Sequence, residues 1–166
     1  PGYAQAEAED VVRLMAPEIE AIKAQNAENA DLAQGDIDAL DQKWRDGVEG
    51  GDTALIDEVL SNGLSDFLRD KQMAAGGVIT EIFVTDNKGL NVGQSDVTSD
   101  YWQGDEDKFQ LSYGDGTGAG AVHISEVEFD DSTGVFQSQV SLPVRDLATG
   151  DLLGAITFGV NVQSLL

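Results

Sequence analysis

Cysteine is absent from this chain of 166 residues, and histidine occurs once, at His123. Without thiols the protein has no disulfides, no thiolate nucleophile and no thiolate metal site. A serine–histidine–carboxylate site can be written from Ser125 or Ser141 with His123 and Asp146, but no nucleophile-elbow sequence supports it. We therefore expect a protein that is not an enzyme, with no catalytic residues and no cofactor.

Basic residues are scarce, because 9 Lys and Arg stand against 31 Asp and Glu and the net charge is −22. The excess is evenly spread, with 6 basic and 17 acidic residues before Val78 and 3 and 14 from there on. An even excess is typical of a solvated surface adapted to salty surroundings. Its field repels phosphate backbones and anionic membranes, so we expect no nucleic-acid partner.

The acidic clusters do not form a metal-binding motif. Asp36 and Asp38 begin like an EF-hand loop, but Leu40 takes the fifth position and no glycine follows. The acidic run 105–107 would spread over a helix surface, and Asp130 with Asp131 suits a solvated turn. We expect no specific metal site.

Long apolar runs are also missing, since no stretch approaches the roughly 18 apolar residues of a membrane span. We therefore expect no membrane-embedded segment. The opening residues Tyr3–Ala6 have the small-x-small pattern of a signal-peptidase site. This pattern predicts an exported protein whose signal peptide is removed near Ala6.

The first 77 residues have the apolar spacing of amphipathic helices. A first helix over Ala8–Leu32 contains Pro17, which predicts a kink or a fresh start of the helix there. A second helix is capped by Asp36, and a third extends to Gly76. Leu, Ile and Val rows of this kind are typical of core packing.

The remainder of the chain predicts a sheet. A strand over Val78–Val84, a tight turn at Asp86–Gly89 and a return strand over Leu90–Ser95 form the first hairpin. Three further strands are predicted over Ala121–Phe129, Val135–Val144 and Leu152–Val162. Between the hairpin and these strands, Thr98, Ser99 or Asp100 caps a short helix that extends to Tyr113.

Several of these motifs occur together in one known family. A strand followed by Asp86–Gly89, a return strand ending at Ser95, and the run Asp100–Glu106 resemble the Cache (PDC, extracytoplasmic PAS-like) sensor domains of bacterial receptors, single-Cache type. The stretches Val140–Asp146 and Thr149–Val160 resemble the last two strands of that family. The resemblance covers about residues 61 to 166.

The resemblance implies an α+β fold with a PAS-like antiparallel sheet of five to six strands. Long N-terminal helices would pack on one face, and a short helix and loop would form a pocket on the other. Residues 1–77 would lead into the sensor sheet of 78–166 within one domain. The helices would cover the sheet or pair with another copy in a homodimer. The implied function is periplasmic or receptor-ectodomain sensing of a small organic acid, amino acid or amine.

A small-molecule pocket needs aromatic walls and a few convergent polar groups. The candidate ligand-binding residues are Tyr101, Trp102, Asp105, Phe109, Tyr113, His123, Gln139 and Ser141. Core packing is the competing role for the four aromatic rings, and the charge of the ligand stays open. We expect the 101–113 helix and the loop 114–120 to close over the ligand. The alternative is an interaction or scaffold protein whose own side chains fill the pocket.

Overall fold

The computed structural model describes residues 2–114, 121–131 and 134–165, and they are organised around one antiparallel sheet. Its strand order is β2-β1-β6-β5-β3, and β4 also pairs with β5. The strands are β1 Ile79–Thr85, β2 Asn91–Gln94, β3 His123–Ile124, β4 Glu128–Asp130, β5 Val135–Arg145 and β6 Leu152–Asn161.

Six α-helices accompany the sheet in the described residues: α1 Gly2–Leu14, α2 Ile19–Glu28, α3 Gln34–Val48, α4 Ala54–Leu60, α5 Gly63–Ala74 and α6 Asp107–Gln110. Pro17 lies in a short 3-10 helix between α1 and α2, so the predicted interruption is confirmed. None of these helices is both long enough and apolar enough to cross a membrane. Helices and an antiparallel sheet together confirm the predicted α+β fold class.

One face of the sheet is covered by helices. We call the buried cluster there the sheet core; it joins α1, α2 and α5 to β1, β5 and β6 and includes Met15, Ile22, Leu68, Ile82, Val140 and Phe158. The alternation of apolar and polar residues along β5 predicts that Phe136, Val140, Leu142 and Val144 face the helices. Val140, Leu142 and Val144 are buried there, but Phe136 is 47% exposed. The opposite face of the sheet is therefore free to form a site.

A second cluster lies beyond the edge of the sheet. This helical core comprises Ile37, Trp44, Ile56, Val59, Leu90 and Tyr101. It ties α3 and α4 to the chain on either side of β2. Because most of its members are far apart in sequence, the helical periodicity alone does not reveal how they meet.

The first hairpin turns where the sequence predicted. Asp86 Oδ1 accepts hydrogen bonds from the backbone N–H groups of Lys88 and Leu90, at 2.9 and 3.0 Å. Gly89 has a φ of +86°, which is the reason that glycine suits this position. These contacts fix the geometry of the loop that leads into β2.

The prediction of a single third helix was wrong. The apolar stripe continues in phase from α4 into α5, but the helix is interrupted between them. Asn62 caps α5, because its side chain accepts a hydrogen bond from Ser65 N at 2.9 Å. The predicted cap of the second helix is also displaced. Asp36 lies inside the first turn and accepts a hydrogen bond from the N–H of Ala33, the N-cap, at 3.0 Å.

The predicted helix from Tyr101 to Tyr113 was wrong for most of its length, because only α6 is helical and it has four residues. The N–H groups of Tyr101 and Trp102 donate to Asp41 on α3, at 2.9 and 3.0 Å, instead of entering a helix. Trp102 also forms a bridge with Leu90. The predicted closing loop lies largely outside the described residues, since 115–120 are not among them.

The predicted third strand is divided into β3 and β4. Between them, the side-chain hydroxyl of Ser125 accepts a hydrogen bond from Gln139 N at 2.8 Å. A hydroxyl thus replaces a backbone carbonyl in the ladder. This hydrogen bond to a side chain interrupts the strand that was predicted over Ala121–Phe129.

Candidate ligand-binding site

The free face of the sheet has a polar row that crosses three strands. Gly159 in β6 is the register partner of both Glu81 in β1 and Gln139 in β5. A Cβ atom at Gly159 would lie 2.9 Å from Cγ of Glu81. Because Gly159 has no side chain, the side chain of Glu81 can occupy the space above it. The side chain of Gln139 favours the charged form of Glu81.

A neighbouring row is more apolar and more tightly packed. Thr157 pairs in register with Phe83 on one side and Ser141 on the other. The hydroxyl groups of Ser141 and Thr157 are 2.8 Å apart, and both residues are buried. Phe83 is buried as well, and its ring forms part of the floor beside Glu81.

The segment 97–103 stands over this face, and α3 holds it there. Trp44 donates its indole N–H to Thr98 O at 2.8 Å. Arg45 places Nη2 3.6 Å from Asp100 Oδ2, and Asp41 binds the two following N–H groups. An irregular segment is thus fixed by side chains of a regular helix, which gives the site a firm second wall.

Two adjoining cavities open between the sheet and the segment 97–108. The loop cavity, of about 460 Å³, lies between that segment and the strands; its lining includes Val48, Glu81, Phe83, Val97, Asp100 and Gln103. The edge cavity, of about 820 Å³, extends toward β3 and β4 and includes Asp105, His123, Ser125, Glu126 and Glu128. Glu106, Lys108, Asp130, Gln137 and Gln139 line both. These volumes suit a small metabolite.

Burial raises the pKa of Glu81 above its ordinary value, and the nearby carboxylates of Asp130 and Asp96 act in the same direction. The charge of Lys108 and the side chain of Gln139 oppose the rise. The pKa of Asp100 is raised too, first by burial and then by the charge of Asp41. Two carboxyl groups of the loop cavity are therefore destabilised in their charged forms.

Acidification should stabilise this fold partly through Glu81. Because its folded-state pKa is raised, the folded state binds the proton more tightly than the unfolded chain, and stability increases as the pH falls through that pKa. The gain is complete below the unfolded value of about 4.3. Thermal unfolding at intervals from about pH 7 to pH 4.5 should show a smaller rise in Tm for Glu81→Gln than for the wild type.

The control for this measurement is Glu58→Gln, which removes the same charge from an exposed position on α4. Both variants relieve the overall repulsion of an acidic chain to a similar extent. An equal pH response in the two variants would contradict a special role of Glu81.

The four aromatic residues predicted for the site lie outside the lining of both cavities, as far as the structure describes it. Tyr101 is buried in the helical core and stacks on Trp44, with ring centroids 5.3 Å apart. Trp102 is half-buried and donates its indole N–H to Lys88 O at 2.8 Å. Phe109 and Tyr113 stack on each other with centroids 5.1 Å apart. Their observed contacts are packing contacts.

Three of the four predicted polar residues do border the cavities. Gln139 lines both, while Asp105 and His123 line the edge cavity. Ser141 lies on the same face of β5 as Gln139 but is fully buried against Thr157. The predicted set is thus divided between the site and the packing that supports it.

The predicted set of ligand-binding residues did not include four residues that line the loop cavity, Glu81, Phe83, Asp100 and Lys108. A carboxylate inside an otherwise apolar strand, Ile79–Thr85, was a signal that could have identified Glu81. Gly159 could not be identified in that way, because its importance depends on the register of β6 with two neighbours.

No protein-family model and no curated protein matches the chain. Among solved structures, it is similar to the ligand-binding domain of the Campylobacter jejuni chemoreceptor Tlp3 in complex with 4-methylisoleucine, at 11% identity and a TM-score of 0.46, over 96% of this chain and 62% of that one. It is also similar to the ligand-binding domain of the Pseudomonas aeruginosa amino acid chemoreceptor PctC in complex with GABA, at 16% identity and a TM-score of 0.45, over 75% and 58%.

A third similar structure is the sensor domain of the V. cholerae histidine kinase DctB, at 11% identity and a TM-score of 0.41, over 95% of this chain and 58% of that one. The chain therefore spans about three fifths of the length of these domains. All three similar structures are ligand-binding or sensor domains of receptors.

Proposed function

We propose that this chain is a non-catalytic, extracytoplasmic sensing module that binds a small polar molecule in the loop and edge cavities. The observation that carries the proposal is the Glu81–Gln139 pair, a half-buried polar pair placed around Gly159 on the face of the sheet away from the core. A half-buried carboxylate costs free energy of folding, and ligand recognition is a reason to keep it.

The proposed site has the components of a metabolite pocket. Val97 offers exposed apolar surface and the buried Phe83 forms part of the lining. Glu81, Gln139 and Asp100 offer hydrogen-bonding groups on facing walls. A bound molecule would bridge the sheet to the segment held by α3. Closure of that segment can follow only from a higher affinity of the ligand for the closed state.

Export of the chain and removal of a signal peptide near Ala6 belong to this proposal. So does pairing of two copies through the N-terminal helices. The second can be tested directly by sedimentation equilibrium of the wild type beside a variant with a charge on the exposed side of α1, at Leu14, which is 56% exposed.

The proposal is tested by thermal unfolding with a panel of amino acids, organic acids, amines and divalent ions. A ligand at about 100 times its Kd adds roughly 2.7 kcal/mol, which for a domain of this size raises Tm by about 5–10 °C. Gln139→Leu should abolish most of the shift, because it keeps the side-chain volume and removes the polar group. Gln42→Leu, at an exposed position of α3, should leave the shift unchanged.

A shift that persists in Gln139→Leu would place the ligand elsewhere and contradict the proposed site. A panel without any shift would contradict the proposed function. It would favour the alternative, a protein-interaction module, for which Val127, Phe129 and Phe136 supply exposed apolar surface at 55%, 51% and 47%.

A further inference from the structure

The loop cavity already contains a cation that belongs to the protein. The ammonium group of Lys108 lies 5.4 Å from the centre of the Phe83 ring and 2.8 Å from Glu106 Oε2. Its charge also opposes the rise in the pKa of both Glu81 and Asp100. An ammonium group over an aromatic ring and among carboxylates is well stabilised, so this position is a subsite for a positive charge.

Negative charge in the loop cavity exceeds what Lys108 can neutralise. Glu81, Asp100 and Glu106 line it, and Lys108 supplies the positive charge among its described lining residues. Arg45 reaches Asp100 from the side of α3. The acidic composition of the chain explains exposed carboxylates, but it does not explain a half-buried carboxylate on the sheet.

An independent observation on the facing wall indicates a missing hydrogen-bond donor. Gln103 lines the loop cavity and is only 2% exposed. Its Nε2 donates to Asp100 Oδ1 at 2.9 Å, whereas its Oε1 has no hydrogen-bond partner among the described residues. A buried amide oxygen without a donor is costly, and an N–H group of a ligand would satisfy it.

The same cavity also presents apolar surface that is unusually exposed. Val48 and Val97 line it and are 46% and 48% exposed. Together with Phe83 they form a wall that suits a short alkyl chain. Acceptors and an apolar wall in one cavity suit a molecule with N–H donors on a hydrocarbon chain.

We propose that the ligand is an organic cation, a primary ammonium on a short alkyl chain, and that its ammonium group displaces that of Lys108 from Phe83 and Glu106. This inference rests on the proposed function, since it names the chemical class of ligand for that site. Lys108 then competes with the ligand for this position, and in the absence of a ligand it neutralises part of the negative charge of the cavity. A carboxylate ligand would instead need Lys108 as its partner.

The experiment compares matched four-carbon probes, 1,4-diaminobutane, 4-aminobutanoate, succinate and 1,4-butanediol, by calorimetric titration at an ionic strength held constant with sodium chloride. 1,4-Diaminobutane should bind the wild type most tightly. Lys108→Met should raise that affinity about fivefold, because the competitor is removed. Glu81→Gln should lower it. Lys43→Met, an exposed residue of α3, removes the same charge and should have no such effect.

Circular dichroism and Tm without probe verify that each variant is folded, and Lys108→Gln serves as a second substitution at the same position. Preferred binding of succinate, or weaker binding of 1,4-diaminobutane to Lys108→Met, overturns the inference. So does equal binding of the four probes, no binding of 1,4-diaminobutane, or the same response to magnesium chloride. The proposed function would survive each of these results, provided that another compound of the panel binds in a manner sensitive to Gln139.

Discussion

Replacing Asp86 with alanine should lower the free energy of unfolding by about 3 kcal/mol. Asp86 is fully buried, and four groups donate to its carboxylate. Two are the N–H groups of the hairpin turn, and two are the side chains of Gln25 and Asn29 on and just after α2, at 2.9 and 3.3 Å. The alanine variant removes the acceptor of Asn29 and of the two backbone N–H groups of the tight turn, whereas Gln25 keeps Leu90 O and Asn91 O as acceptors.

Urea unfolding measures the effect, with Asp31→Ala as the control, because Asp31 is an exposed carboxylate near the same helix. Gln25→Ala should cost less than Asp86→Ala, since it removes one donor and leaves the turn intact. A loss below about 1 kcal/mol for Asp86→Ala would show that the four hydrogen bonds contribute little net stability.

This contact has a functional consequence because of its place on β1. The strand begins near Glu81, at the proposed site, and leads directly to Asp86, which is bonded to the N-terminal helices. Asn26 adds two contacts of the same kind, donating to Leu153 O at 2.8 Å and accepting from Asn87 N at 2.9 Å. A displacement of β1 on ligand binding would therefore be transmitted to α2 through these hydrogen bonds.

Local sequence signals predicted the parts of the fold that depend on near neighbours. Pro17 marks a break because it lacks an N–H, and Gly89 allows the hairpin because it accepts a positive φ. The alternation along β5 predicted the buried face for Val140, Leu142 and Val144, though not for Phe136 near the start of the strand. Each of these features is decided within a few residues, so one sequence suffices to find them.

Features that depend on distant partners were missed. Asp41 captures the N–H groups of Tyr101 and Trp102 across about sixty positions, and this contact prevents the predicted helix. Ser125 interrupts a strand through a bond with Gln139 that no local pattern reveals. The site is mostly of this second kind, since Glu81 and Gln139 meet only through the register of β6.

Trp44→Ala should be the most damaging single substitution considered, with a loss of about 4 kcal/mol in the free energy of unfolding. Trp44 is fully buried in the helical core, stacks on Tyr101 with an interplanar angle of 25°, and donates its indole N–H to Thr98 O. The alanine variant loses the apolar contacts, leaves a cavity and leaves a carbonyl without its donor.

Trp44→Phe separates these contributions, because it keeps most of the packing and removes only the hydrogen bond, and it should cost about 1 kcal/mol. Urea unfolding of both variants gives the comparison, and equal losses would contradict the cavity explanation.

The two variants should also differ in function. Thr98 and Asp100 are part of the wall of the loop cavity, so loss of the ring that anchors this segment should weaken binding of any ligand held between it and the sheet. Trp44 lines neither cavity in the described structure, so it acts on the site by holding the segment that forms its wall.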